Sequence, residues 1–197
     1  MVEFKYKQMK TIETDKYILR PVRLEDAKDM FEYYRQEKVV KYLPLKPHKN
    51  INDTKAFINN FFIKNYQKGK VGQLAIYSKK DKKVIGNVGL NNVNVNAKQG
   101  EIGICINPKY WGDDLSTELT KYSLMYGFEI LNMEKLIAIT YGENKYTPKS
   151  LLYLGFKYKK SYNKKVKNSL LGKSISHHRY ELLRSDYFKN KQLGKYN

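Results

Sequence analysis

The stretch Ile102–Leu119, IGICINPKYWGDDLSTEL, carries the densest chemistry in the chain. Its first residues read as a strand, Asn107–Pro108 stops it, Trp111–Asp114 makes a tight turn, and a helix follows. A strand that feeds a helix through such a turn leaves backbone N–H groups unsatisfied at the helix start. Together with the helix dipole they form a site for an anion such as a phosphate. Asp113 and Asp114 put two carboxylates into that turn. Against an anion at roughly 4 Å, one like-charge pair costs about 1 kcal/mol in water and about 4 kcal/mol at an effective dielectric of 20. Turned to water or toward the helix N-terminus, the same carboxylates do little harm.

The other reactive residue types are few. Cys105 is the sole cysteine and stands between Ile104 and Ile106. It reads as a buried inert thiol, with an acyl relay as the alternative. His177 and His178 are neighbours on a strand, so they point to opposite faces. His48 stands alone in a loop, and no pair has metal-ligand spacing, so no metal site is expected. Lys157–Lys167 is basic with Tyr158 and Tyr162 interleaved. It reads as a solvated strand edge and loop, with RNA contact as the alternative.

The elements that must position these groups follow from periodicity. A strand is expected over Lys16–Val22 and a helix over Leu24–Arg35, whose Leu24, Ala27, Met30, Phe31 and Tyr34 share a face. After a loop over Pro44–Asn52, Asn52 or Asp53 caps a second helix reaching about Gln67. Gln73–Tyr77, Val84–Val95 and Glu101–Ile106 read as three antiparallel strands. A helix over Leu115–Leu131 and a strand over Lys135–Tyr141 come next. Thr147–Pro148 opens a short helix that Gly155 ends, with the Thr147 hydroxyl as cap. Phe156–Tyr162 and Ser174–Leu183 are the last strands, joined by a basic loop over Asn163–Lys173. Mixed strands and helices in this order require a mixed sheet.

A chain of 197 residues fits one domain, expected over residues 1–188, with residues 189–197 as a polar tail. A hydrophobic content of 41% excludes a wholly disordered chain, and one cysteine excludes a disulfide framework. No apolar run reaches the roughly 18–20 residues of a membrane span, and MVEFKYKQMKTIE lacks the apolar core of a secretory signal. The cytoplasm is the expected compartment. The formal charge is +19, from 38 basic and 19 acidic residues. Such a surface attracts polyanions and acidic partners and repels polycations. Only five of the basic residues are Arg, whereas nucleic-acid readers lean on Arg.

Several ordered motifs resemble those of the GNAT superfamily of N-acetyltransferases, in the branch that acetylates N-termini of ribosomal proteins. Trp111, Gly112, Asp113, Asp114, Leu115 and Ser116 occupy the places of its six-residue Q/R-x-x-G-x-G/A turn, with the Trp-Gly opening common in that branch. Tyr17–Asp26 (YILRPVRLED) resembles its first strand and helix, and Gly100–Ile106 (GEIGICI) its central strand. Asn144–Phe156 (NKYTPKSLLYLGF) resembles its N-x-x-S-x-x-x-L-x-x-x-G-F motif, with Thr147 at the Ser position. The resemblance spans about residues 10–188.

It implies a twisted, mostly antiparallel mixed sheet of about seven strands with about four flanking helices, splayed between the fourth and fifth strands. Acetyl-CoA would lie in that splay, with no metal. Ile104, Cys105 and Ile106 would line its pantetheine arm by their backbone, Asn144 would bond the same arm, and the six-residue turn would wrap the pyrophosphate. Thr147 would sit near the thioester sulfur, protonating the leaving thiolate or only capping its helix. Glu101 would take the amine's proton, or serve as a rim carboxylate paired with lysine. The turn departs from the family at Asp113, Asp114 and Ser116, where Asp114 replaces the usual glycine. Leu151 stands where many members carry a tyrosine acid, and Tyr153 faces another side of the helix.

The reading these features support is acetyl transfer from acetyl-CoA to a primary amine by direct attack. The acceptor is expected to be the N-terminal amine of a protein such as a ribosomal protein, met by a monomer or homodimer. Two alternatives stay open. One is a binding protein of the same fold with an impaired CoA site, acting on RNA or the ribosome. The other is a small-molecule acetyltransferase acting on an amine such as an antibiotic.

Overall fold

The computed structural model describes residues 11–112, 114–172 and 174–196. Eight strands form one open sheet: β1 (Ile12–Glu13), β2 (Tyr17–Pro21), β3 (Gln73–Ser78), β4 (Lys83–Asn94), β5 (Gln99–Ile106), β6 (Lys135–Tyr141), β7 (Lys157–Lys165) and β8 (Ser174–Leu183). Their order is β1-β2-β3-β4-β5-β6-β8-β7. Every neighbouring pair is antiparallel except β5–β6. Chain order explains this: hairpin turns join β3, β4 and β5, whereas a helix carries the chain from β5 to a parallel β6. β1 adds a two-residue edge strand to the seven strands that alternation reveals.

The helices cover both faces. On one face lie α1 (Ala27–Tyr34), α2 (Glu37–Val40) and the long helix formed by α3 (Ile51–Phe57), a π-type turn (Ile58–Ile63) and α4 (Lys64–Gln67). Met30, Tyr33, Tyr34, Ile58 and Phe62 pack there against Ala75, Val84 and Cys105 of the sheet. On the other face lie α5 (Leu115–Met125, continued by a π-type turn to Ile130), α6 (Thr147–Tyr153) and α7 (Arg184–Gln192). Leu115 and Leu119 meet Val88 and Ile106, and Leu151, Leu154 and Phe128 meet Leu136 and Leu182. Among the described residues no helix is long and apolar enough to cross a membrane.

Four local expectations need correction. The cap of α3 is Asn50, which accepts from Asn52 N and Asp53 N, while Asp53 accepts back from Asn50 N. Asp53 is thus the far half of a capping box that begins three residues earlier. Thr147 does not cap α6, because it is already helical; the Asn144 side-chain Oδ1 accepts from Tyr146 N and Thr147 N instead. β7 runs past Tyr162, since Asn163, Lys164 and Lys165 pair with Ser176, Ile175 and Ser174. Finally, the described part of residues 189–197 is no free tail. α7 extends through it to Gln192, the Tyr187 and Tyr196 rings stack at 5.0 Å, and Tyr196 donates to the Leu154 carbonyl at 2.8 Å.

Candidate active site

The β5–β6 ladder holds only at Gln99↔Lys135, Gly100↔Leu136 and Glu101↔Ile137. Beyond Glu101 the two strands diverge, yet each keeps its outer partner. β5 stays on β4 as far as Ile106↔Gly86, and β6 stays on β8 as far as Tyr141↔His177. Backbone donors and acceptors in a sheet must be paired. The inner edges of residues 102–106 and 138–141 therefore form an opening able to accept an extended ligand as an added strand. This is the expected splay, with Ile104, Cys105 and Ile106 on its wall. The Ile106 carbonyl also accepts from the Trp111 indole at 2.8 Å.

Strand alternation sorts the side chains around the opening. Ile102, Ile104 and Ile106 join the clusters of α5 and α6, so that face belongs to the helix turn and to Asn144 and Thr147. Glu101, Gly103 and Cys105 point the other way, toward α1, as Cys105 in the α1 cluster shows. A ligand threaded through the splay thus touches two chemically different sides.

On the α5 side, Leu115 is buried and anchors the helix start. Asp114 precedes it with φ 53 and ψ 16, in the left-handed region. Gly112 has φ +108 with open space around a would-be Cβ. The backbone at position 114 is thus one that glycine adopts freely and that aspartate tolerates better than most residues. The Asp114 carbonyl accepts from Thr117 N and Glu118 N, and its exposed carboxylate makes no capping bond. Ser116 lies in the first turn, its carbonyl taken by the Thr120 hydroxyl at 2.7 Å. Trp111 is 54% exposed, with the Lys38 ammonium 5.8 Å from its ring. Asp113 lies outside the described residues. At α6, the Asn144 amide donates to Thr147 Oγ1 at 2.9 Å. That bond uses the Thr147 oxygen as acceptor and leaves its own proton to donate elsewhere.

On the α1 side, Asn87 accepts from the hydroxyls of Tyr33 (3.1 Å) and Tyr34 (2.9 Å) and donates to Gln73. Burial holds both tyrosines well above their ordinary pKa, so both stay protonated donors. Gly103 leaves room for two amides here: a Cβ would sit 2.3 Å from Gln73 Nε2 and 2.6 Å from Asn91 Nδ2, so a larger residue must displace both side-chain ends. Burial pushes the Cys105 thiol up to about 12, partly offset by its bond to Tyr34. At neutral pH it is no thiolate, which leaves it without nucleophilic power. Glu101 sits at the vertex of the splay, receiving Asn92 Nδ2 at 3.0 Å. Glu181, the other carboxylate on this face of β5 to β8, is held by Arg179 at 2.7 Å and Lys135 at 3.5 Å. Glu101 has no ion pair among the described residues.

Residue pattern alone missed Tyr141. Among the described residues, two buried side-chain polar atoms lack a partner, Thr140 Oγ1 and Tyr141 Oη. Both stand on the diverging end of β6, one on each face. Buried polar groups are rarely left unpaired, so two at this spot fit a segment that completes its bonds when ligand enters. His177 packs edge-on to Tyr141 at 5.0 Å and stacks on Tyr162 at 5.5 Å, which sets it on the acceptor face; His178 lies on the other, beside Tyr158. Among the described residues no three His, Cys, Asp or Glu gather as a metal group.

An open mixed sheet, splayed at its one parallel pair and flanked by a helix N-terminus, is the frame on which the site is built. Residues 16–157 match the acetyltransferase (GNAT) domain family, and the chain belongs to that family. It is an N-acetyltransferase of the GNAT type, a family that uses acetyl-CoA as acyl donor. The N-acetyltransferase p20 of Bacillus licheniformis is 26% identical over 179 residues, covering 91% of this chain and 99% of that protein. Two solved structures share the fold. Spermidine N-acetyltransferase from Vibrio cholerae, in complex with CoA and spermine, has a TM-score of 0.75 at 20% identity, covering 89% of this chain and 99% of that one. Ribosomal-protein-S5-alanine acetyltransferase from Vibrio fischeri has a TM-score of 0.75 at 17% identity, covering 91% and 99%. The unpaired strand edges, the orphaned hydroxyls and the glycine-type backbone at Asp114 fit an acyl-CoA in the splay.

Proposed function

We propose that this enzyme acetylates the N-terminal α-amine of a protein. The observation that carries the reading is Glu101: at the vertex of the splay, on the face opposite the helix turn, it is a carboxylate with no ion-pair partner among the described residues. A polyamine needs several free carboxylates, whereas Glu181 is neutralised by Arg179 and Lys135. The +19 charge works against a polycation and in favour of an acidic or ribosome-borne acceptor. Named relatives act on both kinds of amine, spermidine and a ribosomal protein, so the acceptor face decides between them.

Acetyl-CoA supplies the activated acyl group. Trp111, Gly112, Asp114, Leu115 and Ser116, with Asp113 of the same sequence motif, receive its phosphates, and the backbone of Ile104, Cys105 and Ile106 together with Asn144 holds its arm. The amine attacks only when neutral, and Glu101, directly or through a water, takes its proton. A C–N bond forms and the C–S bond breaks; the Thr147 hydroxyl, which Asn144 orients, passes a proton to the departing sulfur and regains one from solvent, to which Glu101 in turn releases the amine's proton. The protonated Cys105 supports direct transfer without a covalent enzyme species. The cytoplasm, where acetyl-CoA and nascent chains meet, is the matching compartment.

The test is acetyl-CoA-dependent thiol release with two amine sets. Peptides with free N-termini should react and spermidine should not. Reaction with spermidine alone would overturn the reading.

A further inference from the structure

Strand register carries the acceptor face outward to the sheet edge. Ile137 pairs with Glu101 on one side and Glu181 on the other, so Ile137, Ile139 and Tyr141 of β6 share the Glu101 face with Arg179 and His177 of β8. β8 passes that face on to Lys160, Tyr162 and Lys164 of β7. The ring contacts Tyr141–His177 and His177–Tyr162 confirm the continuity. Neighbouring strands lie about 4.8 Å apart, so β7 stands roughly 10 Å from β6. An extended polypeptide covers that span in about three residues.

Charge along this path is one-sided. Residues 157–173 hold no Asp or Glu. Lys157 is tied to Asp186, and Arg179 and Lys135 are tied to Glu181. Lys160 and Lys164 are exposed and have no acidic partner among the described residues. They flank Tyr162, whose ring is already engaged by His177. Tyr158 is likewise bound, its hydroxyl to Ser161 and its ring against His178 and Tyr180. Tyr162 gives one ring face to His177 in the row that leads back to Glu101, and an acceptor that starts at Glu101 and follows this row is an extended polypeptide rather than RNA.

We infer that Lys160 and Lys164 select acceptor polypeptides bearing Asp or Glu at about the third to fifth residue. This rests on the α-amine reading above and adds a charge code to it. With the α-amine beside Glu101, the acceptor crosses β6 and β8 along the Tyr141–His177–Tyr162 row and lays its acidic side chains between the two lysines.

The experiment compares kcat/KM for two peptides that share the first two residues and carry either Glu or Lys at positions three to five. Two exposed ion pairs lead to about a tenfold preference for the acidic peptide, shrinking in high salt. The variant Lys160→Glu/Lys164→Glu should invert the preference while keeping its melting temperature. A control with the same charge change in the β3–β4 turn, Lys80→Glu/Lys82→Glu, should keep it. Equal use of both peptides by the native enzyme, or the same loss in the control, overturns the inference and leaves the α-amine reading intact. Failure to acetylate any peptide overturns both. Weaker binding of a labelled single-stranded RNA by the β7 variant, with unchanged peptide kinetics, would assign the strand to RNA and also overturn it.

Discussion

Replacing Asp114 separates two effects that the turn combines. Its backbone lies at φ 53, and its exposed carboxylate stands in the turn proposed to receive the donor's phosphates. A left-handed conformation costs a non-glycine residue about 1–2 kcal/mol, with Asp at the favourable end. Glycine relieves that strain but loses about 0.5–1 kcal/mol in backbone entropy. The two nearly cancel, so Asp114→Gly should change stability by under about 1 kcal/mol. Removing the charge does not cancel. An exposed carboxylate near a phosphate costs about 1 kcal/mol at roughly 4 Å in water, which is about fivefold in Kd. Calorimetric titration with acetyl-CoA at low salt should show Asp114→Gly binding about fivefold tighter than the native enzyme. Asp114→Asn, which tolerates the same backbone, should bind equally tightly. The gain should fade in molar salt, where the screening length falls to about 3 Å. Tighter binding by Gly alone would locate the effect in the backbone and refute the charge argument. No gain in either variant would remove the turn from the phosphate site.

Three further outcomes follow from the site. Glu101→Gln should lower kcat about 100-fold at neutral pH with KM little changed, because it removes a base and keeps the shape. Cys105→Ala should keep kcat within about threefold, since a thiol with a pKa near 12 carries no acyl relay; a dead variant that still folds would contradict direct transfer. His48 packs against Tyr34 and Phe57 and bonds Thr54, and burial lowers its pKa despite nearby Asp53. Its neutral form is the folded one, so stability is full above the ordinary value of about 6.5 and falls as pH drops toward the lowered one. The melting temperature should decline on acidification through this window, and less so in His48→Gln.

The strands that build the site were legible because Gln73–Ser78, Lys83–Asn94 and Gln99–Ile106 are runs rich in apolar and β-branched residues, separated by short polar turns. The strand-turn-helix around Trp111 was equally plain. α7 was not, because Tyr187, Phe188 and the distant Tyr196 form no helical stripe; they pack only once Phe128 is in place. The last residues of β7 were hidden for a different reason. Asn163, Lys164 and Lys165 have no apolar pattern, being fully exposed on an edge, and only the β8 ladder makes them strand. Thr147 read as a cap since a hydroxyl before proline usually is one; Asn144, three residues earlier, reaches the same N–H groups with a side-chain carbonyl. Tyr141 carried no motif at all. Its interest comes from an unpartnered hydroxyl at the splay, which only three dimensions reveal.

The most direct test of the account offers the enzyme one peptide that has both a free α-amine and a lysine side chain, with acetyl-CoA in excess. Tandem mass spectrometry then locates the acetyl group. The account predicts a single acetyl on the α-amine, formed about 100-fold more slowly by Glu101→Gln. Acetyl on the lysine ε-amine alone, or none on the peptide while spermidine is consumed, would contradict it.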